Sequence, residues 1–118
     1  MRKTDKKTEN AIRVVLTEVC EFALEYVNGF QWLTHSIGSY KSLPETLTIL
    51  CVFNTEDDLI SAQENSLDQS IMCLISKKLN TLNIPIKDIQ QHVRFDTQEA
   101  CNEYHQGKWQ DRFKKVLY

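Results

Sequence analysis

Eight consecutive residues constrain this chain more than any others. Thr46 to Phe53 read TLTILCVF, with no charged residue, glycine or proline among them. Such a run of β-branched, aliphatic and aromatic side chains favours a strand. Its near-continuous apolar character suits burial on both faces, which places the strand at the centre of a sheet. Leu47 to Phe53 is also the longest nearly apolar run in the chain. It falls far short of the roughly 18 residues a membrane-spanning helix needs.

The segments around it alternate in period. Between Thr8 and Val27 the apolar positions Ile12, Leu16, Val19, Ala23 and Tyr26 recur at steps of four, three, four and three, with Glu18, Glu21 and Glu25 on the polar side. That spacing predicts an amphipathic helix over 8–27, stopped by Asn28 and Gly29, which tolerate a left-handed backbone. Phe30 to His35 (FQWLTH) predicts a first strand, close enough to the second for an antiparallel hairpin. Residues 55–64 and 67–82 predict two helices, the second capped by Ser66. Gln91 to Phe95 (QHVRF) alternates as a half-buried strand does. Residues 97–117 are helical again, with a break or kink at Gly107.

The expected fold is therefore α+β, in the order α-β-β-α-α-β-α. It is a small three-stranded mixed sheet with helices packed mainly on one face, the first two strands antiparallel and the third parallel to the second. A length of 118 residues suits one domain, 1–118. Only three glycines and two prolines argue against a turn-rich sandwich or barrel. The four cysteines, Cys20, Cys51, Cys73 and Cys101, form no Cys-x-x-Cys pair and sit in apolar patterns, which favours a reduced, cytoplasmic protein with inert core thiols at Cys20, Cys51 and Cys73, while Cys101 lies near a helix start where Glu99 and Glu103 oppose a thiolate. The basic start of the chain leads into Thr8, Glu9 and Asn10 instead of the apolar stretch of a secretory signal.

Charge is uneven. Residues 1–7 carry four basic groups and one acid, residues 108–118 the same, so the body between them holds −8 of a total of −2. Residues 1–7 read as a flexible basic arm. The other end, GKWQDRFKKVLY, mixes Lys108, Arg112, Lys114 and Lys115 with aromatics including Trp109. Lys108, Trp109, Arg112, Lys114 and Lys115 are the candidate nucleic-acid contacts, the cations for phosphates and the indole for a base. The competing and favoured explanation is packing: Trp109, Phe113 and Val116 repeat at steps of four and three on a last amphipathic helix. An acidic body is a poor start for binding DNA.

Two stretches echo each other, VFNTEDDLISA (Val52–Ala62) and RFDTQEACNEY (Arg94–Tyr104). Each reads as a strand ending at a phenylalanine, then Asn54 or Asp96 as a helix cap, then Asp57 or Glu99 at the third helical position, close to a capping box. Neither turn has the glycines of a phosphate loop, and their acids would repel a phosphate. If the strands are parallel neighbours, Asp57, Asp58, Asp96 and Glu99 share one edge and could converge on a cation, the divalent-ion nuclease arrangement. His35 and His92 lie on predicted strands but lack metal-ligand spacing, and no Gly-x-Ser-x-Gly elbow is present. No catalytic residue, cofactor or metal ligand is assigned.

Taken together, MRKTDKK, LTEVCEFAL, VNGFQWLTH, CVFNTE and VRFDTQEAC resemble a family of small bacterial proteins without an established activity. Some of its members carry the label of a Fis-family transcriptional regulator. That label implies a C-terminal DNA-binding helix-turn-helix, whereas QHVRF puts a strand between the helices of this C-terminal half. The leading functional expectation is a non-enzymatic cytoplasmic binding or interaction domain. Its partner is an unidentified protein or a second copy, since a three-stranded sheet leaves two edges for dimerisation. The alternative is a nucleic-acid-associated regulatory protein that uses the basic N- and C-terminal ends.

Overall fold

The apolar run becomes β2 (Leu47–Phe53), the middle of a three-stranded sheet in the computed structural model of the chain, which describes residues 2–118. β1 (Phe30–Ile37) lies antiparallel on one side of it and β3 (Val93–Thr97) parallel on the other. The helices are α1 (Lys3–Tyr26), α2 (Glu56–Glu64), α3 (Leu67–Asn80), α4 (Gln98–His105) and α5 (Trp109–Val116). The α+β class, the element order and the mixed sheet are as the sequence predicts.

Burial on both faces of β2 follows from its side-chain alternation. Leu47, Ile49, Cys51 and Phe53 point into the main core with Ile12, Leu16, Val19 and Ala23 of α1, Leu59 of α2, and Ile71, Ile75 and Leu79 of α3. Leu50 and Val52 point the other way, onto Leu117 and the partly buried Trp32, Trp109, Phe113 and Val116. Three helices thus cover one face and α5 covers the other. Ile49, Leu50, Val52 and Phe53 have no exposed surface at all, and each contributes about 1.5–3 kcal/mol through burial.

Several boundaries differ from expectation. α1 begins at Lys3 and not at Thr8, so residues 3–7 of the expected basic arm are helical turns, and Met1 lies outside the described residues. The apolar stripe that locates the helix begins only at Ile12, but Lys and Glu propagate a helix well without packing. Ser66 precedes α3 in a left-handed conformation, and its hydroxyl makes no capping bond. Cys73 is exposed, contrary to the core position expected of it. The break expected at Gly107 is present: the last helical stretch is two helices, because Gln106 and Gly107 both take positive φ (55° and 77°).

Gly29 is fixed by two constraints. Its φ of +83° is left-handed, and a Cβ there would stand 2.4 Å from Asp58 Cβ at the first turn of α2. Its carbonyl accepts the Asn54 N–H at 2.8 Å, which ties the α1–β1 turn to the end of β2. Gly29→Ala is expected to cost about 2–4 kcal/mol in denaturant unfolding, the sum of a left-handed backbone and an overlap that moves α2. A loss below about 1 kcal/mol, the ordinary Gly-to-Ala scale, would show that the turn relaxes freely.

Candidate functional site

The echoing turns meet at the C-terminal ends of β2 and β3, but not as capping by Asn54 and Asp96. The caps are the next residues. Thr55 Oγ1 accepts the Asp58 N–H at 3.1 Å, and Thr97 Oγ1 accepts the Ala100 N–H at 3.0 Å. β3 runs on to Thr97, and in the parallel register Thr97 stands opposite Phe53, not opposite Thr55. The two turns are staggered by two residues, and this stagger lets them interlock. Thr97 Oγ1 donates to Glu56 Oε1 at 2.8 Å, the Glu56 N–H donates to Glu99 Oε1 at 3.0 Å, and the Glu99 N–H donates to the Asn54 carbonyl at 3.0 Å.

The register also decides what Asp96 does. It lies opposite Val52 and therefore faces the α5 side of the sheet. There its carboxylate takes a bidentate pair from Arg112, Nε to Oδ2 at 2.8 Å and Nη2 to Oδ1 at 2.9 Å, plus the Thr97 N–H at 2.8 Å. Both residues are buried. The convergence of Asp57, Asp58, Asp96 and Glu99 on a cation does not occur: Asp96 is committed to Arg112 and Glu99 to Glu56 N–H. Among the described residues no group of three or more acidic, histidine or cysteine side chains could hold a metal ion.

The five candidate nucleic-acid contacts separate into two groups. Trp109 is half-buried, edge-on to Trp32 at 4.9 Å, and its Nε1–H donates to Gln98 Oε1 at 3.0 Å. Arg112 is held by Asp96, with its guanidinium carbon 5.9 Å from the centre of the Tyr104 ring. Lys108, Lys114 and Lys115 are exposed. Three lysines limit the contact this helix can make: in a DNA titration against salt they account for a log–log slope no steeper than about −2.7. A slope several units steeper would require cations beyond this helix.

His35 and His92 lie on opposite sides of β2 and do not meet. The His92 Nδ1 is 2.8 Å from the Leu47 carbonyl. His35 is part of another cluster, which sequence reasoning missed. Its Nε2 lies 2.7 Å from Glu9 Oε1, and the Tyr40 hydroxyl donates to Glu9 Oε2 at 2.8 Å. Glu9 is on α1, 26 residues from His35 and 31 from Tyr40, and no local spacing signals such a contact. Arg13, one turn along α1, approaches the same carboxylate only to 3.5 Å and stays two-thirds exposed.

This cluster closes one end of a cleft of about 320 Å³ lined by Glu9, Arg13, Leu16, Thr17 and Cys20 of α1 and by Leu33, Thr34 and His35 of β1. The α1 residues follow i, i+4, i+7, i+8 and i+11, one flank of a helix. The β1 residues are consecutive, and consecutive strand side chains point to opposite faces. A cleft that touches all three therefore runs along the edge of the strand.

That edge is open. Among the described residues β1 pairs only with β2. The Gly38 N–H donates to the Thr46 carbonyl at 3.1 Å. Alternation along an antiparallel ladder then places Ser36 and Thr34 at the positions bonded to β2. The N–H and C=O groups of Leu33, His35 and Ile37 point away from it, the Leu33 N–H toward Cys20 of α1. β1 contains no Lys, Arg, Asp, Glu or Pro over its eight residues, the devices that usually blunt an edge strand. The other edge is shorter and guarded: β3 has five residues, carries the exposed Arg94, and has α2 packed against it.

The electrostatics of the cleft are those of a built structure. Burial acts to raise the Glu9 carboxyl, but the Tyr40 hydroxyl, His35 and Arg13 outweigh it and hold the carboxyl below its ordinary range. Burial and the bond to Glu9 push the Tyr40 hydroxyl up to about 12. Burial pushes the Cys20 thiol up as well, against the pull of the Leu33 backbone, which leaves it a weak nucleophile. A depressed Glu9 stabilises the fold above the unfolded carboxyl value of about 4.3, and that contribution is lost as pH falls through the folded value. A raised Tyr40 does the reverse: its contribution is complete below about 10 and is lost as pH climbs toward about 12. Tyr40→Phe is expected to move the Glu9 titration, followed by carbon NMR of its carboxyl, upward. An unmoved Glu9 would show that the hydroxyl does not govern it.

No described helix is long and apolar enough to cross a membrane. Comparisons with protein-family models, with curated proteins and with solved structures return no match.

Proposed function

We propose that this chain is a non-enzymatic interaction domain that binds by adding a strand to the open edge of β1. The observation that carries the reading is the eight-residue edge without Lys, Arg, Asp, Glu or Pro, with outward N–H and C=O groups at His35 and Ile37 and the Leu33 N–H turned to Cys20. Main-chain hydrogen bonds along such an edge supply affinity, and the walls beside it supply selectivity. The chemistry of the neighbouring side chains favours binding over catalysis. Both Glu9 oxygens are engaged, and the Cys20 thiol is held protonated. The regulatory reading on nucleic acid has less support, since Trp109 and Arg112 are spent on packing and on Asp96.

The test is selection of binders from a displayed random heptapeptide library against the full chain, followed by amide hydrogen exchange. Bound peptide is expected to slow exchange at His35 and Ile37 by at least about tenfold while Thr34 and Ser36, already bonded to β2, change little. Binders that protect amides only outside β1, or a library that yields none, would overturn the reading.

A further inference from the structure

We infer that this chain dimerises by exchanging its last helix: α5 leaves its own sheet and docks on the same face of a second copy. The inference does not rest on strand addition at β1.

The hinge carries strain that exchange relieves. Helices commonly end on a left-handed glycine. α4 ends instead on Gln106, left-handed at φ +55°, and Gly107 follows it at +77°. A residue with a Cβ is disfavoured in that backbone. The same turn leaves His105 Nδ1 buried without a hydrogen-bond partner. Straightening Gln106 and Gly107 into right-handed helix removes the left-handed strain and fuses α4 with α5. The result is one helix from Gln98 to Val116, about 28 Å long. No proline stands between those residues to oppose it. Short hinges under strain are where helix and strand exchange begins.

The attachment of α5 can be rebuilt between copies. Among the described residues no backbone hydrogen bond joins Trp109 to Tyr118 with the sheet or with α4. Side chains alone hold the helix. The Trp109 indole donates to Gln98, the Arg112 guanidinium donates to Asp96, and the apolar side packs on Leu50 and Val52. Each contact has one partner on α5 and the other on α4 or the sheet, so each re-forms when α5 comes from another chain.

The bared face selects its occupant. Asp96 is a buried carboxylate that needs a two-point donor, and Leu50 and Val52 have no exposed surface. A second copy's α5 brings Arg112 between Trp109 and Phe113, the one spacing already shown to fit. The exchange is reciprocal: each copy gives one helix and receives one, so the assembly closes as a dimer.

The test compares the full chain with Gly107→Ala and Gln106→Gly, each refolded from denaturant at high concentration and followed by sedimentation. Gly107→Ala places a better helix former in the hinge and a Cβ 3.1 Å from Asn102 Oδ1 in the bent form, so it favours the straight helix. Gln106→Gly relaxes the bend and weakens the straight helix. Glycine inside a helix costs a factor of roughly five per site. A dimer holds two hinges, so its association constant is expected to rise about 25-fold in Gly107→Ala and to fall about 25-fold in Gln106→Gly. Isotope-filtered NMR of labelled chain mixed with unlabelled chain identifies the exchange. The Trp32 and Trp109 rings, 4.9 Å apart, are expected to give contacts between copies. Three outcomes would overturn the inference: a chain monomeric in every form, a dimer whose Trp32–Trp109 contacts stay within one copy, or association indifferent to the hinge. If Gly107→Ala does not fold, the fall expected from the unaltered chain to Gln106→Gly decides the matter by itself.

Discussion

Arg112→Ala is expected to destabilise the protein by about 3–5 kcal/mol, among the largest effects of any single change away from the main core. Arg112 and Asp96 are 8% and 5% exposed. Removing the guanidinium leaves a buried carboxylate with only the Thr97 N–H to satisfy it. The loss is the desolvation of that stranded charge rather than the attraction of the pair. The prediction therefore has a second half: replacing both partners by apolar residues, Asp96→Leu with Arg112→Met, is expected to recover most of the loss. Arg112→Lys should fall between, since an ammonium cannot reproduce the two-point contact at 2.8 and 2.9 Å. Equilibrium denaturation of the wild type and these three variants gives the comparison. A double variant as unstable as Arg112→Ala would show that the pair holds α5 by attraction and not merely by mutual satisfaction. At the usual stability of a small domain, about 5–15 kcal/mol, the single change removes a fifth or more of the total.

The pair also shows where reading a sequence stops. Asp96 follows a phenylalanine at the end of a strand and precedes a helix, and local rules make it a cap. Thr97 takes that role because β3 continues through Asp96, whose side chain is turned to the far face by a register that no local pattern contains. Arg112 reads as a phosphate contact for the same reason: its partner is 16 residues away and on another element. What local periodicity controls was legible. The stripe from Ile12 to Ala23 is the buried face of α1, and TLTILCVF is the central strand. The strand, two helices and a parallel strand follow in the expected order. The Glu9–His35–Tyr40 cluster was not legible, because α1 and β1 meet only once the hairpin and the turn at Gly29 have set their angle. The cleft was half legible. A three-stranded sheet implies open edges, but which edge stays unguarded depends on α2 lying against β3 and on α1 lying beside β1.

Phe53→Ala is expected to cost about 3–5 kcal/mol, and the cost should appear in both outer strands at one end of the sheet. Phe53 is the last residue of β2 and has no exposed surface. Its ring meets Phe30 edge-on at 5.7 Å and Phe95 at 6.3 Å, so one side chain joins the start of β1 to β3. Truncation removes the aromatic contacts and leaves a cavity that rigid neighbours fill poorly. Two helix starts depend on the same point. Phe53 pairs with Thr97, whose hydroxyl caps α4 and donates to Glu56 of α2. Amide exchange in Phe53→Ala should therefore rise at Asp58 and Ala100, the two capped N–H groups, beyond what the global loss of stability produces. Leu50→Ala, equally buried but facing α5, supplies the comparison. Its cost of about 2–5 kcal/mol should leave those two amides following the global unfolding. If both variants raise exchange at Asp58 and Ala100 alike, the interlocked turns are stable without Phe53, and their hydrogen bonds to each other are what hold that end of the sheet.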